Sequence, residues 1–171
     1  MLKFIILEIG IVKSRLIDTV TVDKEFEITF KMKLGVSKEG RWDWSNVIYF
    51  TTLKMNSRIR VLAVWIDSTD KIRIDHNTTG TYYVSYGPRV LDNKWTRVKL
   101  TQKRNKAGEF IFTAQMNGKS FEVKNINTMP VVHHNVTIYV SSPWHSQVHG
   151  LIKDVYYGGK SFDLTDVDDS G

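Results

Sequence analysis

Alternation of apolar and polar residues with a period of two runs through most of this chain and constrains its fold more than any other feature. In the clearest case the apolar members are Phe26, Ile28, Phe30, Met32 and Leu34, with polar residues between them. This pattern predicts a strand with one face in a core and one in water. Denser apolar runs at 46–52 and 59–66 predict strands that are buried on both faces.

Turn residues separate these segments at regular intervals. Asn117-Gly118 lies between two alternating runs, and both residue types tolerate the positive φ of a type I′ turn, so the pair predicts a hairpin. We expect about eleven to thirteen strands, which is typical of two packed antiparallel sheets. The sequence has no heptads, Pro-rich linker or internal repeat, so we assign residues 1–164 to one β-sandwich domain and 165–171 to an acidic tail.

Composition excludes several classes of protein. The 171 residues include no cysteine, which rules out thiol catalysis and Cys-ligated zinc but leaves the compartment open. No window approaches the roughly 18 consecutive apolar residues of a membrane helix, so no membrane span is expected. Residues 4–12 are interpreted as a strand, because Glu8 interrupts the apolar run, and no signal peptide is evident.

Charge is unevenly distributed along the chain. The net charge is +6, yet residues 154–171 carry one lysine against five aspartates. A basic body with an acidic tail predicts affinity for an acidic polysaccharide, or self-association into a homo-oligomer through the tail. The alternative is an ordinary solvated surface. Lys99, Lys103, Arg104 and Lys106 form a basic patch, but with no recognised module nearby nucleic acid binding is not expected.

An ordered set of segments carries a family resemblance. The set comprises Leu91–Leu100 with Trp95, Gly108–Lys119 with its Asn-Gly turn, Val136–Val140 and Gly150–Tyr157. It resembles the concanavalin A-like jelly roll, especially its laminin-G-like and pentraxin-like branches. The resemblance covers about residues 16–164 and implies an all-β, two-sheet antiparallel jelly-roll β-sandwich. Such folds include sugar binders, adhesion modules and glycan hydrolases, so the fold leaves the function open.

A finer resemblance concerns Trp44–Thr52, Trp95-Thr96 and Ile138–Trp144. These segments are similar to a domain of secreted and matrix proteins of cnidarians and other marine invertebrates. Members carry a Gly-Asp-Arg-Ile-Pro-like loop after the Thr-Thr strand, and here only Arg58 and Ile59 match it. This resemblance implies an extracellular, secreted protein, in agreement with two glycosylation motifs that begin at Asn77 and Asn135.

Catalytic motifs are missing from the sequence. Glycoside hydrolysis needs two carboxylates about 5–10 Å apart, and jelly-roll glucanases place them close together on one strand, as Glu-x-Asp-x-Glu. No such motif, nucleophile elbow or phosphate loop occurs here. We therefore expect no enzyme, with a glycan hydrolase as the lesser alternative.

Loop aromatics are the main indication of a binding site. Sugar rings present apolar C–H faces that stack on aromatic rings, and nearby polar groups fix their hydroxyls. The candidate ligand-binding residues are Trp42, Asp43, Trp44, Tyr86, Trp144 and His145. The alternative is that Trp44 and Trp144 only cover the ends of the sandwich.

A calcium site is the other candidate. Asp67, Asp70, Asp75 and Asn77 lie in two neighbouring turns and offer the oxygen ligands that calcium prefers. Ordinary turn chemistry explains the same residues. The late histidines, His133, His134, His145 and His149, suit a transition metal or are plain loop residues.

The sequence as a whole predicts a non-catalytic, extracellular, lectin-like protein that binds a glycan. The alternative is a structural or adhesive matrix protein that assembles through its basic body and acidic tail. The sequence leaves open the ligand, the oligomeric state, calcium binding, a pigment or other small molecule between the sheets, and membership of a longer protein.

Overall fold

A computed structural model describes residues 9–11, 15–35, 44–54, 57–77, 82–126, 129–158 and 160–162. These residues form thirteen strands and no helix, which confirms the all-β prediction. The strands are β1 Ile9–Gly10, β2 Arg15–Val22, β3 Phe26–Leu34, β4 Ser45–Lys54, β5 Ser57–Ile66, β6 Lys71–His76, β7 Tyr83–Arg89, β8 Trp95–Arg104, β9 Phe110–Met116, β10 Lys119–Ile126, β11 His133–Val140, β12 Gly150–Tyr157 and β13 Lys160–Ser161.

Two antiparallel sheets pack face to face. In the described part of the chain one sheet has seven strands, in the order β1-β12-β3-β8-β9-β10 with β13 on β12, and the other has six, in the order β2-β11-β4-β5-β6-β7. Neighbours such as β12 and β3 are distant in sequence, so the sheets interleave the two halves of the chain. The predicted two-sheet sandwich is confirmed.

The core lies between the inner faces of the two sheets. Phe30 of β3, Phe50 of β4 and Phe112 of β9 are fully buried there, with the aliphatic residues that alternate along each strand. His76 of β6 also points inward, and its ring stacks on Phe112 at 3.9 Å between centroids. That contact links the six-stranded sheet to the seven-stranded one.

The predicted hairpin at Asn117-Gly118 is confirmed. Both residues have positive φ, 50° and 81°, and they join β9 to β10. The dense apolar run at 46–52 predicts a strand buried on both faces. In the structure residues 45–51 of β4 are buried throughout, as this prediction requires. Several other predicted strands agree with the structure to within a few residues, since their period-two pattern matches one buried face.

Two aromatics with a core-like pattern lie elsewhere. Trp95 of β8 is half-buried on the outer face of the seven-stranded sheet, where Lys153 Nζ lies 4.0 Å from its ring centroid. Tyr139 of β11 packs with Tyr49 and Trp65 in a cluster apart from the main core. Period two predicts that a residue faces a surface, but not whether a loop covers that surface.

No described residues form a helix that is long and apolar enough to cross a membrane. Residues 163–171, with most of the predicted acidic tail, lie outside the described ranges, as does most of the 4–12 segment. The predicted boundary at residue 164 therefore stays a prediction.

Candidate functional site

The outer face of the six-stranded sheet carries aromatic side chains on successive strands. Tyr139 of β11 pairs with Tyr49 of β4, and Trp65 of β5 pairs with Arg73 of β6, which in turn pairs with Tyr86 of β7. Directly paired residues project to the same side of a sheet, so these side chains lie together. We call the surface formed by Tyr49, Trp65, Tyr86 and Tyr139, with Trp44 and Trp144 at its margins, the aromatic face.

Asp75 occupies the polar centre of the aromatic face. Its Oδ2 accepts a hydrogen bond from Arg60 Nη1 at 2.7 Å, and its Oδ1 accepts one from Arg73 Nε at 2.6 Å. Arg73 Nη2 completes the fork at 3.2 Å from Oδ2. The Asp75 side chain is wholly buried, whereas those of Arg60 and Arg73 are 26% and 19% exposed. The two guanidinium groups therefore cover the carboxylate and face the surface themselves.

Aromatic rings flank both guanidinium groups. Arg60 Cζ lies 4.9 Å from the ring centroid of Trp65 and 5.5 Å from that of Tyr49. Arg73 Cζ lies 4.5 Å from the ring centroid of Trp44, within the range of a cation–π contact. These contacts hold the two cations in fixed positions on an otherwise apolar surface.

The surroundings keep these groups in defined protonation states. Burial acts to lower the pKa of Arg60 and of Arg73, but hydrogen bonds to Tyr49 and Asp75 respectively, with the charge of Asp75, raise both above the ordinary value. Burial, and then the hydrogen bond to Asp75, raises the pKa of Tyr82. Both arginines are thus cations at neutral pH, and Tyr82 is a neutral phenol.

A buried asparagine anchors the loop that brings Trp144 and His145 to this face. Asn46 Oδ1 accepts a hydrogen bond from the Ser142 backbone N–H at 2.7 Å, and Asn46 Nδ2 donates to the Val64 carbonyl at 3.1 Å. Ser142 Oγ is in turn 2.8 Å from His145 Nδ1. The loop after β11 is therefore tied to β4 and β5 by buried bonds, which are costly to break.

The anchored loop residues pack onto the sheet. The Trp144 ring meets Tyr49 and Tyr139 at centroid distances of 6.1 and 5.9 Å, in edge-on geometry. The His145 ring lies 4.8 Å from Trp65. Trp144 nevertheless keeps 41% of its surface exposed. An indole that is held by its neighbours and still exposed on one side suits stacking by a ligand.

A cavity of about 170 Å³ opens between these groups, and its lining residues are Trp44, Arg60, Trp65, Arg73, Asp75 and His145. Trp65 is 3% exposed, and its Nε1 is buried with no hydrogen-bond partner in the described part of the chain. A buried, unpaired N–H costs about 1–3 kcal/mol. The cavity thus has aromatic walls, and one of its lining residues holds a donor that no described residue satisfies.

Larger openings lie elsewhere. One of about 410 Å³ is on the outer face of the seven-stranded sheet, lined among others by Lys31, Arg97 and Asp154. Lys31 and Asp154 are ion-paired at 2.8 Å. That groove is bordered chiefly by surface ion pairs, so we place the candidate site in the smaller, aromatic cavity.

The structure gathers four of the predicted ligand-binding residues. Trp44 and Tyr86 are in contact at 6.2 Å between ring centroids, and Trp144 and His145 lie on the same face through Tyr49. Trp42 and Asp43 lie outside the described residues. Trp44 and His145 line the cavity, and Tyr86 and Trp144 lie beside it, in contact with Trp44 and Tyr49 respectively.

Sequence reasoning missed Arg60, Arg73, Trp65 and Tyr49 as site residues. The run at 59–66 looks like a strand with both faces in a core, which concealed the fact that Trp65 faces outward under a loop. The usable signal was Arg73-Ile74-Asp75, because two opposite charges two apart on a strand share one face.

Three of the four predicted calcium ligands have other partners in the structure. Asp67 Oδ1 accepts bonds from Thr69 and Lys71 in a turn, and Asp70 pairs with Arg89 at 2.9 Å. Asp75 is held by the two arginines, whereas Asn77 lies at the end of β6 with its Oδ1 buried and without a hydrogen-bond partner among the described residues. Within the described ranges no three His, Asp or Glu side chains converge as metal ligands do. The calcium hypothesis stays a prediction.

No protein-family model matches the sequence, and no curated protein matches it. Solved structures do match its fold. The LG1-3 region of the laminin α2 chain superposes with a TM-score of 0.59 at 13% identity, over 87% of this chain and 25% of that one. The endo-β-1,4-glucuronan lyase of the fungus Trichoderma reesei gives a TM-score of 0.57 at 11% identity, over 90% and 74% of the two chains.

A carbohydrate-binding module is similar at nearly full length. The CBM40 of the Ruminococcus gnavus IT-sialidase, solved with α2,3-sialyllactose, gives a TM-score of 0.56 at 14% identity over 88% of this chain and 91% of that one. At such low identities these matches establish the fold alone, which is a concanavalin A-like jelly-roll sandwich. Because proteins with this fold differ in what they do, the function has to be argued from the site.

Proposed function

We propose that this protein binds a carbohydrate, without transforming it, through the cavity of the aromatic face. The observation that carries the proposal is one cavity with Trp44 on its wall, Arg60 and Arg73 in its lining and the exposed Trp144 beside it. Aromatic rings offer flat apolar surfaces to the C–H faces of a sugar, and the arginines offer hydrogen bonds to its oxygens. The carbohydrate-binding module among the structural neighbours supports this class of ligand.

The location outside the cell is part of the same proposal. Asn135 is exposed in β11, in a position where a glycan chain would find room. The finer resemblance to matrix domains of marine invertebrates, which rests on the sequence segments alone, would agree with a secreted protein. Extracellular glycans would then be the available ligands.

A glycan array, with neutral, sialylated and sulfated glycans, tests the proposal. We expect selective binding by the wild type and a loss of at least about tenfold, which is ~1.4 kcal/mol, in Trp144→Ala. Tyr156→Ala is the matched control, because both side chains are 41% exposed and Tyr156 lies on the opposite sheet. Unchanged binding by Trp144→Ala removes the aromatic face as the site. Loss of binding with a chelator would assign calcium a role.

The outer face of the seven-stranded sheet favours a second candidate, a structural or adhesive matrix protein. Lys153, Lys31 and Arg97 pair directly across β12, β3 and β8, so three cations stand in one row. Asp154 is ion-paired with Lys31 beside this row, and three cations against one carboxylate leave a positive surface that a polyanionic partner would complement. An acidic polysaccharide, or the acidic tail of another copy, has the complementary charge.

Light scattering at low and high salt separates the two candidates. A matrix protein that assembles through this row should form oligomers that dissociate as salt screens the charges. A monomer at every salt concentration argues against it. A glycan hydrolase is the lesser alternative, and turnover of β-glucans or of glucuronan would support it.

A further inference from the structure

We infer that the part of the glycan that enters the cavity is an anionic oxygen group, a carboxylate or a sulfate ester, and not a neutral hydroxyl. This inference rests on the proposed function and names the ligand class of the same site. It follows from an inventory of donors, acceptors and charges in the cavity lining.

The carboxylate of the lining is already saturated. Asp75 accepts three hydrogen bonds from Arg60 and Arg73, at 2.6–3.2 Å. Its side chain has no exposed surface. The buried Asp75 carboxylate is therefore out of reach of a ligand, and it serves to position the arginines.

Donors, by contrast, remain unused. Arg60 bonds through Nε and Nη1, and Arg73 through Nε and Nη2. A guanidinium has five N–H donors on three nitrogens. Arg60 Nη2 and Arg73 Nη1 thus make no bond to the described residues, and neither does the buried Trp65 Nε1. Three residues that line the cavity, Arg60, Arg73 and Trp65, therefore have N–H donors without a partner among the described residues.

A group that only accepts hydrogen bonds fits this lining better than one that also donates. A hydroxyl must place its own hydrogen on an acceptor, and burial without that partner costs about 1–3 kcal/mol. A carboxylate or sulfate has acceptors alone, and charge-assisted bonds from arginine are about twice as strong as neutral ones.

The net charge of the cavity lining also favours an anionic ligand group. Arg60 and Arg73 carry two positive charges against the single negative charge of Asp75, which leaves an excess of one. The side chains of Arg60 and Arg73 are only 26% and 19% exposed, so water screens this excess less than it does on an open surface. A single anionic group would neutralise the site.

The size of the cavity limits what enters. At about 170 Å³ it is smaller than the ~300–1,000 Å³ of pockets that enclose whole ligands. One acidic substituent, or the ring that bears it, would enter, while the rest of the glycan lies across Trp144 and the outer aromatic rings.

The test compares glycans that share a neutral core. Lactose, 3′-sialyllactose and 3′-sulfated lactose, with cellobiose and cellobiouronic acid as a second set, are titrated calorimetrically into the full chain. We expect at least one acidic member to bind tenfold or more tightly than its neutral parent. The sialyl, uronic and sulfated arms decide between carboxylate and sulfate.

Variants connect that preference to the cavity. Arg73→Gln should reduce the ratio of acidic to neutral affinity to near one, whereas the exposed Arg89→Gln, on the next strand of the same sheet, should leave it unchanged. Trp65→Phe keeps an aromatic ring but removes the unpaired N–H together with part of the indole, and should weaken acidic ligands several-fold. Trp95→Phe, on the opposite sheet, is its control.

The outcomes are distinguishable. If neutral and acidic members bind equally, or if the preference survives both Arg73→Gln and Trp65→Phe, the inference fails and carbohydrate binding stands. If no glycan binds at all on the array or in solution, the proposed function fails and this inference with it. Trp65→Phe breaks no protein hydrogen bond, so it remains informative should Arg73→Gln not fold.

Discussion

At the scale of single residues, this protein is organised around one buried carboxylate. Asp75 holds Arg60 and Arg73 in place, and the aromatic rings of Trp44 and Trp65 enclose their charged ends. Buried ion pairs contribute little net stability, because the cost of removing charges from water offsets their attraction. The Asp75 cluster therefore makes sense as a means of positioning two cations on a sheet surface.

Removing that carboxylate should destabilise the protein clearly. We expect Asp75→Asn to lower the free energy of unfolding by roughly 2–3 kcal/mol, somewhat below the ~3–5 for fully buried pairs, because both arginines keep some contact with water. Urea denaturation measures the change. Asp70→Asn is the control, since its partner Arg89 is 65% exposed, and should cost under about 1 kcal/mol. Equal effects of the two variants would contradict this account.

At the scale of elements, the turn after β9 shows how local chemistry sets strand pairing. Asn117 and Gly118 both adopt positive φ, and the hairpin they form runs in register from Met116↔Lys119 to a bulge between Ser120 and Glu122. Positive φ at two successive residues matches the twist of the strands that flank a two-residue turn. Local sequence therefore determines which residues of β9 and β10 pair.

Substitution of the turn glycine isolates this backbone effect. A Cβ on Gly118 would have no atom within 4 Å, but its φ of 81° is strained for an L residue. Gly118→Ala should therefore cost about 1 kcal/mol. Gly35→Ala is matched, because its Cβ would make only ordinary contact, 3.5 Å from the His149 carbonyl, and should change stability little. Thermal unfolding of both variants provides the comparison.

At the scale of the whole molecule, a titratable ring lies where the two sheets meet. His76 of β6 is fully buried and stacks between Phe112 of β9 and Tyr83 of β7. Burial, with a smaller effect from Lys124 and against the attraction of Asp75, lowers the pKa of His76 to about 4. Protonation of this ring would place a charge inside the sandwich, so its ionisation is coupled to the stability of the entire fold.

Stability should therefore fall as the solution becomes acidic. Above the unfolded pKa of about 6.5 the ring is neutral in both states, and His76 adds no pH dependence. Between about pH 6.5 and 4 the unfolded chain binds a proton that the folded chain does not, which costs up to about 3 kcal/mol. Denaturation at several pH values measures this loss.

Two variants test whether His76 causes this pH dependence of stability. His76→Phe preserves the stack and should flatten the curve between pH 6.5 and 4. His134→Gln, at an exposed position of β11, should leave the curve as in the wild type. A His76→Phe curve as steep as the wild type would mean that other groups carry the effect.

Amino-acid order alone determined the strands, the hairpin and the two-sheet class, because period-two patterning and turn chemistry are local properties of the chain. It also singled out Trp44, Tyr86, Trp144 and His145 as aromatic residues of loops, although Tyr86 lies within β7, because Gly87-Pro88 looks like a turn in the sequence. Alternation predicts the face on which a side chain lies, but it does not identify the neighbouring strand. Only the tertiary structure brought together Arg60, Trp65, Arg73 and Asp75. Their cluster depends on the pairing of β5 with β4 and with β6, and on the loop that Asn46 anchors over these strands.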